Sequence, residues 1–250
     1  MHNAQCSIDN AQCSMHNAQS AAAKDGAGNN CALCIVNYEL KKMVMRREKQ
    51  VILGARIVSM LFTPFYLPFV GMAVLFTFSY LSMFPWDYKL QVLSMVYLFT
   101  ILLPTLLIHL YRRHQGWTLI ELGHRERRMV PYVLSIICYF TCVYVMERLH
   151  MPHFMGSIVV SALAVQIICA LINVWWKIST HTAAIGGVGG ALFAFSYYLM
   201  FNPVWWFCLV FLVGGVVGTS RMILRQHSLT QVIGGFWVGL FCAAVAILML

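Results

Sequence analysis

The sequence predicts an all-α fold, a polytopic membrane helical bundle of six to seven transmembrane helices. Three observations lead there. The chain is 60% hydrophobic and only 10% charged, where soluble domains carry about 25% charge. Apolar runs of about 20 residues, the length that crosses a bilayer as a helix, recur from Ile52 to Leu250. These runs are too long and too uniformly apolar for the alternating strands of a membrane barrel, and only helices or closed barrels cross a bilayer.

The amino-terminal segment stands apart. "MHNAQCS", "IDNAQCS" and "MHNAQSA" repeat with a period of 7 residues. The repeat has neither the a/d pattern of a coiled coil nor the apolar core of a signal peptide. Residues 1–44 are therefore expected to be a disordered, low-complexity extension, and 45–250 the transmembrane domain. Met43 or Met45, ahead of the basic "RREKQ", would make a natural start. Cys31 and Cys34 form a lone C-x-x-C without the context of a zinc or redox site.

The apolar runs fall near 52–82, 90–111, 129–147, 154–176, 181–200, 203–222 and 229–250. The first contains "TPFYLP". Pro64 and Pro68 should bend it or split off a short interfacial piece, which is the difference between seven spans and six. With seven, the basic residues divide unevenly. Lys41, Lys42, Arg46, Arg47, Lys49, Arg56 and the Arg and Lys of the later polar loops share one side, while Lys89 and Arg148 stand on the other. The positive-inside rule puts the richer side in the cytoplasm of a cell-membrane protein. The net charge of +9 reads as topology and contact with anionic lipid, with no nucleic-acid partner.

No Asp or Glu follows Glu147. The last hundred or so residues thus offer no carboxylate for acid–base work or a metal, and no metal or other cofactor is expected. A membrane prenyltransferase would need Asp-rich magnesium sites, and no Asp lies beyond Asp87. Cysteines inside the apolar runs read as small hydrophobes. "GGVGG" at Gly186–Gly190 has no preceding strand and no following acid, so it reads as close helix packing rather than a dinucleotide loop, as do Gly214, Gly215, Gly234 and Gly235. His150 and His153 lie on the opposite side with no third ligand.

Three polar clusters interrupt the runs: Arg112–Pro131, "WKISTH" (Trp176–His181) and "SRMILRQHSLTQVIGG" (Ser220–Gly235). An even number of crossings separates each from the next, so all three meet at one membrane face. The second and third combine basic residues with histidines and carry no carboxylate, as an anion site would. Phosphoryl transfer suits that set. Arg and Lys neutralise phosphate oxygens, a neutral histidine can attack phosphorus, and a protonated one can give its proton to the leaving oxygen. His181 stands at the start of a helix, where backbone N–H groups add anion stabilisation.

Ser220-Arg221, five residues, then His227 resembles the third signature of the type 2 phosphatidic acid phosphatase superfamily, "SRxxxxxHxxxD". "KISTH" resembles its second, "PSGH", with Ser179 and His181 in register. "HRERRMVP" is a loose match to the first, "KxxxxxxRP", with Glu121 where the family has Lys. Gln231 stands in place of the final Asp, a feature similar to a divergent bacterial subgroup. The resemblance spans roughly Ile52 to Leu250. It implies a metal-independent phosphatase of membrane lipid phosphates or diphosphates that forms a phosphohistidine. His227 would be the nucleophile and His181 the general acid. Arg221, Arg128, Ser179 and Lys177 would bind phosphate, and Gln231 would orient His227. Two other readings fit the same residues: a weak or inactive relative that binds phospholipid or isoprenoid phosphate, and a small membrane transporter or scaffold.

Overall fold

A computed structural model describes the backbone of residues 28–78, 80–115 and 125–249, and side chains within 38–77, 82–114 and 129–249. The chain forms two units, 1–53 and Gly54–Leu250. The repeats at residues 1–27 lie outside the described residues. From Gly28 onward the expected extension is helical, as the first part of α1 (Gly28–Leu61). In the first unit this helix is polar and basic, with Lys42 3.8 Å from Glu39.

The second unit is the membrane bundle. After α1 come α2 (Leu67–Phe78), a 3-10 turn at Tyr80–Met83, α3 (Trp86–Tyr97), a π segment (Leu98–Leu102), α4 (Leu103–Gln115), α5 (Arg125–Arg148), α6 (His153–Trp175), α7 (Thr180–Leu199), α8 (Val204–Ile223) and α9 (Leu229–Leu248). Helix α3, the π segment and α4 make one rod, Trp86–His114. Pro104 lies just past the π segment. It has no N–H for the α-helical bond to residue 100, and a π turn absorbs that break. Among the described residues, 6 helices are long and apolar enough to cross a membrane: this rod and α5 to α9.

The run at 52–82 is split, as its prolines require. Helix α1 ends at Leu61, and Thr63 Oγ1 caps its Met60 carbonyl at 2.7 Å. Helix α2 restarts at Leu67 and has 12 residues, about 18 Å of rise against a hydrocarbon core of about 30 Å. It cannot cross alone. Yet Ser59 bonds Arg221, at the carboxyl end of α8, whereas Met72 and Phe76 pack with Met155, Val159 and Met146 at the other end of the bundle. The chain from Gly54 to Phe78 therefore runs the length of the bundle in two pieces.

Helix direction alternates from there, so the turns after α4, α6 and α8 share one end. At the opposite end, Lys89 is buried, donates to the Ser82 carbonyl at 2.6 Å and lies 4.8 Å from the Trp86 ring. Arg148 Nε donates to the Tyr144 hydroxyl at 3.0 Å. The core there is formed by Met72, Val92, Val96, Tyr139, Cys142 and Met155. Toward the turn-bearing end, Ile185, Val210 and Val217 pack with Val58, Phe62 and Leu67.

Candidate functional site

Two parallel helices build the site. Helices α7 and α9 run the same way, so both amino termini open on the same end. Their contact is backbone to backbone. A Cβ at Gly186 would overlap the Phe236 carbonyl, one at Gly190 the Leu240 carbonyl, and one at Gly239 the Ala183 carbonyl. A Cβ at Gly235 would sit 2.6 Å from the Ser179 carbonyl. The "GGVGG" stretch is thus a packing surface. Gly215, expected to share that role, meets nothing within 4 Å, because it faces away from the pair. Side by side, the two helix starts sum their partial positive charges and their unpaired N–H groups at one spot. The Ser179 N–H donates to the Gln231 carbonyl at 3.3 Å and locks the two starts together.

The start of α9 fixes a histidine. Ser228 is the N-cap, and it forms a capping box with Gln231. The Ser228 N–H donates to Gln231 Oε1 at 3.2 Å, and the same oxygen lies 3.2 Å from His227 Nδ1. A backbone N–H can only donate, so the atom it meets is the amide oxygen. An oxygen facing His227 Nδ1 makes that nitrogen the donor. The lone pair of the neutral ring then sits on Nε2.

The end of α8 supplies the cation. Arg221 Nη1 donates to Ser59 Oγ at 2.7 Å. Tyr132 of α5 lies close enough to act on Arg221 electrostatically. His181, in the first turn of α7, lies within electrostatic reach of both Arg221 and His227, with the Ser59 carbonyl beside its ring. Arg221 Nε, His181 Nδ1 and Ser179 Oγ are all buried with no hydrogen-bond partner among the described residues. Three unsatisfied groups beside a helix-start pair, each able to donate a hydrogen bond, form a recess chemically matched to an oxyanion.

Of the seven residues singled out from sequence, His227, Gln231, His181, Arg221 and Ser179 come together. Lys177 lies in the turn before α7 and is exposed, outside the buried recess. Arg128 stands in the first turn of α5; its side chain is outside the described residues, as is Glu121. Its backbone position is one helical turn before Tyr132. Ser59 and Tyr132 were missed. Ser59 is one hydroxyl in an apolar run, with nothing in the spacing to mark it. The i+4 offset of Tyr132 from Arg128 was the available signal.

A family model, the PAP2 superfamily, that is, the type 2 phosphatidic acid phosphatases, matches residues 135–250. The match takes in α6 to α9 and most of α5, with both histidines and Arg221, and begins after Arg128. No curated protein and no solved structure matches the chain.

Proposed function

We propose, for a chain whose residues 135–250 belong to the PAP2 superfamily, a membrane lipid phosphate or diphosphate phosphatase that works through a phosphohistidine at His227. The observation that carries this reading is the Gln231 side chain. By holding Nδ1 as the donor it leaves Nε2 of His227 as a nucleophile at the start of α9, with His181 in electrostatic reach of both His227 and Arg221.

The phosphate group of a lipid enters the recess between the starts of α7 and α9. Arg221 neutralises its oxygens, and the helix-start N–H groups and Ser179 hydroxyl add hydrogen bonds. Arg128 and Lys177 add charge at the rim. The His227 Nε2 lone pair attacks phosphorus, and the P–O bond to the lipid breaks. A protonated His181 gives its proton to the departing oxygen, so the lipid leaves as an alcohol, or as a monophosphate if it began as a diphosphate. Neutral His181 then takes a proton from water, whose oxygen attacks phosphorus. The P–N bond breaks, inorganic phosphate leaves and His227 is restored. No step uses a metal. The site faces the cytoplasm of the cell membrane, as the basic loops at that end support.

The test uses the full chain purified in detergent, with phosphatidate and isoprenoid diphosphate as substrates and EDTA present. The wild type should release phosphate, and His227→Ala should lose at least about 10³-fold, as loss of a nucleophile does. Acid-labile phosphate on His227 should be trapped in the wild type. Equal, slow release by both proteins overturns the enzyme reading and leaves a phosphate-binding relative.

A further inference from the structure

Ser59 touches both halves of the site with two different atoms. Its hydroxyl oxygen accepts from Arg221 Nη1 at 2.7 Å, and its backbone carbonyl lies beside the His181 ring. The residue is 8% exposed and sits in the last turns of α1, just before the break at Thr63. It lies far outside the family-matched segment, which begins at residue 135. Nothing in α5 to α9 duplicates this bridge among the described residues.

The chemistry of the partner matters as much as its place. A guanidinium held in a protein interior normally faces a carboxylate, and Arg221 is partly buried, with its Nε fully covered. Here the only ion pair among the described residues is Lys42–Glu39, in the other unit. A neutral hydroxyl uses one N–H of Arg221 and cancels none of its charge. The geometry of the guanidinium is then set while its positive charge, and the unpartnered Nε–H, stay available to an anion. A carboxylate at the same place would hold the arginine equally well and compete with the phosphate for it.

We infer that Ser59, on the broken first crossing, is a positioning residue for the phosphate site: it aims Arg221 through its hydroxyl and fixes His181 through its carbonyl. The inference rests on the phosphatase reading of the site. It assigns the segment ahead of the family-matched region a direct part in that site.

The experiment compares wild type, Ser59→Ala, Ser59→Thr, Ser59→Asp and His227→Ala as full chains in detergent. Each is measured for phosphate release from phosphatidate and for binding of inorganic phosphate by calorimetry, with thermal unfolding as the check on folding. Ser59→Ala should weaken phosphate binding and raise KM by about tenfold, the effect of one hydrogen bond to a charged group. Its kcat should fall less, since the carbonyl beside His181 is kept. Ser59→Thr retains the hydroxyl and should restore binding to within about threefold of wild type. Ser59→Asp should bind phosphate more weakly than Ser59→Ala, although it can still bond Arg221. A purely structural role would not rank Asp below Ala while unfolding temperatures stay level.

Wild-type binding and KM in a folded Ser59→Ala protein overturn the proposal and leave the phosphatase reading intact. If Ser59→Thr unfolds, the Ala and Asp ranking alone decides. If wild type and His227→Ala release phosphate equally but phosphate binding still follows the Ser59 series, the enzyme reading fails and the positioning role stands. If the wild type neither binds nor releases phosphate, both fall.

Discussion

Gln231 holds its side-chain oxygen 3.2 Å from His227 Nδ1, and the Ser228 backbone N–H, also 3.2 Å away, keeps that oxygen in place. In serine proteases, replacing the orienting Asp by its amide leaves the wrong tautomer and costs about 10⁴ in turnover. That penalty does not carry over here. The capping box turns the amide so that its oxygen, and not its nitrogen, faces the ring. What the glutamine lacks is the negative charge that stabilises a cationic histidine.

Gln231→Glu keeps both acceptor contacts and adds that charge. Phosphate release should rise, by roughly tenfold and by far less than 10⁴-fold. Gln231→Leu removes the acceptor and half of the capping box. It should lower turnover by up to about 10⁴-fold and destabilise the start of α9 by about 1 kcal/mol. Steady-state kinetics with paired thermal unfolding separates the two effects. A Glu variant slower than wild type would sink the orienting role.

Glycines at the contact of α7 and α9 should be intolerant. Gly186→Ala puts a methyl group into the Phe236 carbonyl, so the helices must part, at about 1–3 kcal/mol or more. Gly215→Ala meets nothing within 4 Å and should be neutral or stabilise by up to about 1 kcal/mol. Thermal unfolding in one detergent compares them directly. Equal unfolding temperatures would contradict the backbone contact.

The turn between α8 and α9 is strained in one place. The Gln226 N–H donates to the Arg221 carbonyl at 3.1 Å and the Arg225 N–H to the Met222 carbonyl at 2.8 Å, the paired bonds of a Schellman motif. Arg225 has φ 53, a left-handed conformation that disfavours side chains by about 1–2 kcal/mol. Arg225→Gly should therefore stabilise the fold by about 1 kcal/mol, read as a higher unfolding midpoint in denaturant. An unchanged or lower midpoint would remove the strain from the account.

Sidedness can be read with an impermeant thiol reagent on intact cells, in a chain stripped of its own cysteines. Gln115→Cys, at the end of the bundle that carries the site, should stay unlabelled until the membrane is opened. Trp86→Cys, 75% exposed at the opposite end, should label at once. The reverse pattern places the site outside the cell.

The six long spans were legible because each is a long apolar run bounded by charge, Gly or Pro. Five of the seven residues singled out from sequence meet in the recess, because motif order and alternating helix direction are enough to gather them. The proline pair predicted the break in the first run. It did not reveal that the two pieces together run the length of the bundle, since that rests on which residues they meet. Ser59 stayed hidden for a related reason: a hydroxyl one turn from a helix end looks the same whether it bonds its own backbone or an arginine 162 positions away. The orientation of the Gln231 amide was equally out of reach. It depends on a capping box, and the Ser and Gln at positions 228 and 231 became one only once the helix start was located between them.

Along α7 and α9, Gly186, Gly190, Gly235 and Gly239 each receive a carbonyl from the other helix or its N-cap, so neither helix can slide or roll against its neighbour without collision. The separation of His181 and His227 is therefore decoupled from the thickness and curvature of the surrounding bilayer. Lipid composition acts on the bundle from outside, while the spacing of the two histidines is set by van der Waals contact between backbones rather than by the membrane.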